Sequence, residues 1–225
     1  MTMGLWKRPR FILVFSLFLF SIFGALFGEV IDEIWFDKQL LPLDLMTSRW
    51  MALNQEPYDR MFFLTMTYVG EGEALAVLAL IAAAILWFYR RKMESKLIFG
   101  GFGFLTASVF LIKFLTGRPR PVMASIQETS ASFPSAHAAL SLFFFGFLAY
   151  LLAREVNKKY LSLLIFSAGL LIAGLIGASR VYLNVHWVSD VFGGFALGAA
   201  VLSFCIGFLE IQKLRTSGSR DEISI

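Results

Sequence analysis

The stretch FILVFSLFLFSIFGALFG, residues 11–28, decides the fold. It holds 18 residues without a charged side chain, and a helix of that length can cross the hydrocarbon core of a bilayer. Five more apolar runs of similar length follow along the chain, at 73–89, 97–116, 137–153, 160–178 and 187–209. The sequence therefore predicts an all-α, polytopic membrane protein with six transmembrane helices.

The composition agrees with this class. Hydrophobic residues make up 58% of the chain and charged residues only 16%, which lies far from the balance of soluble domains. The net charge of +4 is explained by basic residues at the ends of membrane spans. We therefore predict no nucleic-acid partner.

The first apolar run follows the basic sequence KRPR and so resembles the start of a signal peptide. Its apolar stretch is long for such a peptide, and it lacks a clear A-x-A cleavage site. We predict an uncleaved anchor, and with it a single membrane domain over residues 1–225.

The distribution of Lys and Arg predicts the orientation. Six spans leave thirteen of these residues on one side and seven on the other, and short cytoplasmic segments are the ones enriched in them. Both termini, including a tail at about 210–225, are therefore predicted to be cytoplasmic in a plasma-membrane protein. Residues 29–72 and 113–137 are predicted to be extracytoplasmic. For the first of these loops, short interfacial helices and an ordinary capping loop both fit.

The chain has two histidines, and both fall at the outer mouth of a predicted span. His186 and Asp190 are spaced i, i+4, which places them on one helical face and lets the carboxylate accept a hydrogen bond from one ring nitrogen. The other nitrogen can then act as a nucleophile, with Asp190 stabilising the cation that attack produces. A purely structural alternative also fits each residue taken alone: these charges could anchor the helix ends among lipid headgroups.

Three permanent cations are predicted on the same side as the histidines: Lys113, Arg120 and Arg180. Such cations would repel each other without an anion between them. Arginine forks match phosphate oxygens in bidentate fashion, and lysine adds a mobile point charge. An anionic phosphate substrate is therefore predicted.

The stretch FPSAH, residues 133–137, supports this prediction from another direction. Pro134 and Ser135 are typical helix-start residues, and the unpaired N–H groups of a helix start form an anion site. Ser135 and the backbone N–H of Ala136 are predicted to donate to phosphate oxygens. His137 is predicted to protonate the leaving oxygen.

Two other chemistries use the same residues. A serine hydrolase could combine Ser135, His137 and Asp190, but residues spaced i, i+2 do not face each other on a helix. A metal site could combine His137, His186 and Asp190, but the nearby cations would repel a divalent ion. We predict no metal and no cofactor.

These residues resemble the three motifs of the type-2 phosphatidic acid phosphatases, K-x6-RP, PSGH and SR-x5-H-x3-D. The resemblance covers Lys113 to Pro121, Pro134 to His137, and Ser179 to Asp190. It implies six spans, an outward-facing active site, phosphate binding by the three cations with help from Ser135, His137 as the acid and His186 as the nucleophile. Pro121, Pro134 and Ser179 are the supporting motif positions. Ala136 departs from the family's usual glycine, and because helical angles suit alanine we expect activity to survive.

The family includes glycerolipid phosphatases, isoprenyl pyrophosphate phosphatases and soluble vanadium haloperoxidases, and the apolar runs disfavour the last. The resemblance thus implies a metal-independent lipid phosphatase acting on phosphatidylglycerophosphate, phosphatidate or undecaprenyl pyrophosphate, and we favour a bacterial phosphatidylglycerophosphatase B-like enzyme. The alternative function is a non-catalytic lipid-phosphate binder or transporter. It uses the same cations but needs neither histidine nor Asp190.

Overall fold

The structure, a computed structural model, describes residues 8–37 and 41–223, and at 36–37 and 216–223 it describes the backbone alone. Within these residues the chain forms α-helices and one π-helical turn, and no strand. In chain order the elements are α1 (Pro9–Asp32), the π-helical turn (Glu33–Asp37), α2 (Pro42–Leu53), α3 (Pro57–Val69), α4 (Gly72–Phe88), α5 (Lys92–Thr116), α6 (Ala136–Glu155), α7 (Lys159–Tyr182) and α8 (Val188–Ile223).

Five segments are long and apolar enough to cross a membrane, judged by length and composition: Pro9–Trp35, Lys92–Thr116, Ala136–Glu155, Lys159–Tyr182 and Val188–Arg215. The run at 73–89, predicted as a span of its own, is a helix of only 17 residues. It qualifies as a sixth span together with α3, and the two helices form a pair bent by 47°. The prediction of an all-α membrane fold is confirmed, and six spans are reached when the bent pair counts as one.

The segment between the first two apolar runs is largely helical. Both α2 and α3 begin with a proline, Pro42 and Pro57, in the first helical turn. A proline there loses no hydrogen bond, because that N–H would have no partner within the helix. Of the two interpretations that the sequence left open, the helical one is correct for the secondary structure, and the position of these helices at the membrane interface stays a prediction. The bounds of the predicted loop change at its end, because α3 forms the sixth candidate span together with α4.

The helices pack around α6. It lies against α7 and α8, while α1 runs along α8 and α3 packs on α7. Most side chains of α6 are buried, whereas many large apolar side chains of α1, α5 and α7 are exposed. Exposed apolar faces of this kind are typical of helices that face lipid.

The start of α6 and the start of α8 are held together by close backbone contact. A Cβ atom added at Gly194 would lie 2.5 Å from the carbonyl oxygen of Ser135, so only glycine permits this approach. The N–H of Ser135 donates to the carbonyl oxygen of Asp190 at 3.0 Å. This junction places the two predicted catalytic motifs side by side.

Candidate active site

His186 lies in the turn between α7 and α8, and Asp190 lies in the first turn of α8. The Nδ1 atom of His186 is 3.3 Å from Oδ2 of Asp190, so the predicted i, i+4 pair is present. The other ring nitrogen, Nε2, lies 3.1 Å from Nη1 of Arg120. Burial lowers the pKa of His186 to about 3, while the hydrogen bond and the charge of Asp190 act in the opposite direction. A neutral imidazole with its proton facing Asp190 carries an unprotonated lone pair on Nε2, as a nucleophile requires. In this structure the guanidinium of Arg120 donates toward that lone pair.

Asp190 is completely buried and both of its oxygens are engaged. Oδ2 also accepts from the backbone N–H of Trp187 at 2.9 Å and from the hydroxyl of Ser132. Oδ1 accepts from the guanidinium of Arg118. These partners fix the carboxylate, and through it the orientation of the His186 ring.

The predicted phosphate-binding arginines meet at one carboxylate, that of Glu128. Its Oε2 atom lies 2.6 Å from Nη2 of Arg120, and its Oε1 atom accepts from Nη2 of Arg180. Arg180 is almost fully buried, and its Nε atom is buried without a hydrogen-bond partner. Burial lowers the pKa of Arg120, and the charge of Asp190 opposes the shift. The two guanidiniums thus form an anion site that a side-chain carboxylate occupies.

Lys113, in the last turn of α5, completes the set of cations. Its side chain is buried, and its Nζ atom donates to the carbonyl oxygen of Ala131 and lies 3.5 Å from that of Ser132. Arg120 is bound to the same loop, through Ser130, and to Val185 beside the histidine. Backbone carbonyls therefore fix the positions of Lys113 and Arg120, and of these two cations Lys113 lines the cavity.

His137 lies in the first turn of α6, and its Nε2 atom is buried without a hydrogen-bond partner. The nearest acidic oxygen, Oε2 of Glu71, is 3.6 Å away, beyond hydrogen-bond distance. Glu71 stands in the break of the bent helix pair, where it immediately precedes α4. A carboxylate in this place would stabilise a protonated His137 ring.

The remaining predicted residues surround the start of α6. Ser135 is the N-cap of α6, and its hydroxyl oxygen accepts from the N–H of Ala138 at 3.5 Å. Ala136 is the first residue of the helix and lines the cavity. Pro121, Pro134 and Ser179 are buried. The structure therefore brings the eight predicted catalytic and phosphate-binding residues together at one end of the bundle, and the three supporting positions are buried.

The cavity in front of the histidines has a volume of about 650 Å³. Its polar end is lined by Lys113, Glu128, His137, Arg180 and His186. The apolar end lies along α4, α5 and α6, lined by Ala76, Phe102, Val109, Phe110 and Leu140. A ligand with an anionic head and an apolar tail matches this division.

The two alternative chemistries fit this geometry less well. Asp190 is bound to His186 and not to His137, so the chain of contacts that a Ser135 hydrolase would need is not formed. Among the residues that the structure describes, no three His, Cys, Asp or Glu side chains are grouped as metal ligands.

Four site residues were missed by the sequence analysis: Glu71, Glu128, Arg118 and Asp44. A signal existed for Glu128, because it is the only acidic residue between Lys113 and His137. Arg118 is a further cation in the same loop, but the spacing of the K-x6-RP motif assigns phosphate binding to Arg120. Asp44 and Glu71 come from the segment between the first two apolar runs, and only the folded chain shows where they lie.

Comparison with known proteins adds a second line of observation. Residues 96–213 match the family model of the PAP2 superfamily. The chain is 33% identical to phosphatidylglycerophosphatase B of Bacillus subtilis, over 76% of this chain and 86% of that protein. It is 30% identical to human dolichyldiphosphatase 1, over 60% of this chain and 61% of that protein.

Two solved structures have the same fold. The transmembrane PAP2-type phosphatidylglycerolphosphate phosphatase from Bacillus subtilis matches with a TM-score of 0.73 and 30% identity, over 87% of this chain and 96% of that one. LpxE from Aquifex aeolicus matches with a TM-score of 0.58 and 25% identity, over 76% of this chain and 96% of that one.

Proposed function

The chain belongs to the PAP2 superfamily, and on that premise we propose that it is a membrane lipid phosphatase that works through a phosphohistidine. The observation that carries the proposal is the position of the Glu128 carboxylate. It lies between Arg120 and Arg180, and Arg120 in turn contacts Nε2 of His186. An anion that replaced this carboxylate would therefore lie beside a neutral imidazole.

In the first step, the lone pair on Nε2 of His186 attacks phosphorus and the bond from phosphorus to the ester or anhydride oxygen breaks. The proton of His137 passes to the departing oxygen, so that an alcohol or a shorter phosphate leaves. Asp190 stabilises the positive ring of the phosphohistidine through the proton on Nδ1. The cations Lys113, Arg120 and Arg180 neutralise the charge that gathers on the phosphoryl oxygens.

In the second step, water attacks the phosphorus of the phosphohistidine and gives up a proton to the now neutral His137. The bond from phosphorus to Nε2 breaks, and inorganic phosphate and free His186 result. Ser135 and the N–H of Ala136 bind phosphoryl oxygens at the start of α6. In this proposal the chain needs neither a metal nor a cofactor, because side-chain cations do the work that a metal ion performs in other phosphatases.

We favour phosphatidylglycerophosphate as the substrate, with phosphatidate and undecaprenyl pyrophosphate as the other candidates. The apolar end of the cavity would hold the start of the lipid tails. The similarity to phosphatidylglycerophosphatase B of Bacillus subtilis supports a monoester. The similarity to human dolichyldiphosphatase 1 keeps a lipid diphosphate among the candidates.

Phosphate release by the purified protein in detergent tests this proposal. With EDTA present throughout, we expect lipid monophosphates or diphosphates to be hydrolysed as fast as in its absence, because side-chain cations carry the phosphate. A panel of the three candidate lipids ranks the substrates. Activity that EDTA abolishes and Mg²⁺ restores would contradict metal independence. Tight binding of every lipid without phosphate release would instead favour the binder or transporter.

We also propose that the protein lies in the plasma membrane with this cavity facing outward. A cysteine placed at the exposed Thr129, in the loop beside the cavity, should react with a membrane-impermeant thiol reagent in intact cells. Cysteines at the exposed Lys92 and Lys158, near the opposite end of the bundle, should react only after the cells are opened. The natural chain is the control, since its single cysteine, Cys205, is buried. Labelling in the reverse order would place the site on the cytoplasmic side.

A further inference from the structure

Behind the His186–Asp190 pair lies a second buried ion pair, formed by Arg118 and Asp44. Nη1 of Arg118 donates to Asp190, and Nη2 of Arg118 lies 2.9 Å from Oδ2 of Asp44. The side chains of Asp44 and Asp190 are at most 1% exposed, and that of Arg118 is 6% exposed. These charges lie outside the cavity and touch no group that the proposed reaction uses directly, except Asp190.

Asp44 belongs to α2, far from the motifs in sequence, yet it is tied to the start of α8. Its Oδ1 atom accepts from the backbone N–H of Ser189 at 3.0 Å, and its Oδ2 atom accepts from the hydroxyl of Ser189 at 2.6 Å. A carboxylate at the N-terminus of another helix satisfies an N–H that has no partner within its own helix and interacts favourably with the helix dipole. Asp44 therefore fixes the segment that carries Asp190.

The net charge of this buried network shows what the carboxylate of Asp44 contributes. Arg118 alone would pair with Asp190 as a neutral couple, and little net charge would be left to support a positive ring on His186. With Asp44 present, the two carboxylates outnumber the one guanidinium, and the surplus negative charge is balanced when the His186 ring becomes positive. In a buried site of low polarity such a balance matters more than at a surface.

We propose that Asp44 is a positioning residue for the reaction, which neutralises Arg118 so that the charge of Asp190 remains available to the His186 ring. The inference rests on the proposed phosphohistidine chemistry. Asp44 itself touches neither substrate nor reacting atoms. Its effect reaches the ring through Arg118 and Asp190.

The experiment compares Asp44→Asn with Asp59→Asn. Asp59 is a matched control, because it also lies in the first turn of a helix that begins with proline, but it is exposed. The turnover of each variant is divided by the number of sites that can be phosphorylated, which removes any effect of partial unfolding. For Asp44→Asn we expect a loss of roughly tenfold in turnover per site with KM within about twofold, the size typical of coupled residues in one network. Asp59→Asn should match the natural chain.

The double variant Asp44→Asn/Arg118→Gln separates charge from simple structural support. It removes one charge of each sign and so restores the original balance around His186. We expect it to turn over faster per site than Asp44→Asn. A double variant that is equal or slower, or an Asp44→Asn variant as active per site as Asp59→Asn, would overturn the inference.

Two further results complete the test. If Asp44→Asn yields no folded protein, the turnover per site of the double variant is compared with that of the natural chain. A loss of about tenfold or more in turnover per site overturns the inference. A smaller loss supports it. If the natural chain itself forms no phosphohistidine, the proposed function has failed, and with it the basis of this inference.

Discussion

Replacement of His186 by alanine is expected to reduce phosphate release to background for every lipid and for small phosphate esters alike. The change removes Nε2, the only protein atom that forms a bond to phosphorus in the proposed mechanism. Loss of a nucleophile in a comparable covalent enzyme costs on the order of 10⁶ in turnover. A better leaving group cannot compensate, because no phosphoenzyme can form.

The measurement is phosphate release together with a search for labelled phosphoenzyme in protein quenched at alkaline pH, where a bond from phosphorus to nitrogen survives. Trp187→Phe is the matched control. It changes the next residue in the same turn, where it removes the hydrogen bond from the indole N–H to the carbonyl oxygen of Pro119 and part of a buried ring. The backbone N–H that Trp187 donates to Asp190 is kept. Turnover in His186→Ala that resembles this control would show that another residue is the nucleophile.

Replacement of His137 by alanine should cause a loss that depends on the leaving group. General acid catalysis contributes roughly 10² to 10⁴ in rate, so hydrolysis of a lipid phosphate, whose alkoxide leaves poorly, should fall by about that factor. With p-nitrophenyl phosphate the phenolate leaves with little help, and the first step should be partly spared. The second step still lacks its base, so phosphate should accumulate on His186.

Ser141→Ala is the control for this variant, since Ser141 lies one turn further along α6 and is fully buried, outside the cavity lining. Its hydroxyl donates only to the carbonyl oxygen of Ala138, so activity on both substrates should persist. If His186→Ala accumulates phosphoenzyme and His137→Ala does not, the two histidines have the opposite roles.

The sequence was sufficient for the parts of this protein that depend on local spacing. Apolar run length predicted most spans, and an i, i+4 spacing predicted the contact of His186 with Asp190. The span that contains residues 73–89 was not predicted in full, because its hydrophobicity continues across a bend into α3. Length alone does not show that a span is broken near Gly70.

Two of the contacts that the sequence could not predict cross long separations. Asp44 meets Arg118 over 74 residues of chain, and Glu71 reaches His137 only because α3 and α4 bend beside α6. Neither residue belongs to a motif, and an acid between apolar runs resembles an ordinary solvated side chain. Only the packing of α2 and α3 onto the bundle gives these carboxylates their partners.

The bend between α3 and α4 leaves no room for a side chain at Gly70. A Cβ atom there would lie 2.2 Å from Cγ2 of Ile176, which is fully buried, and 3.3 Å from Cδ2 of His137. Even alanine must therefore displace the β-branched side chain of Ile176, and it would also press against the ring of His137. In a library that replaces every residue in turn, substitutions at Gly70 would lower activity about as strongly as substitutions at the histidines, although glycine has no functional group. A ranking by loss of activity would therefore identify residues that position the His137 ring as well as residues that are proposed to act on the phosphate.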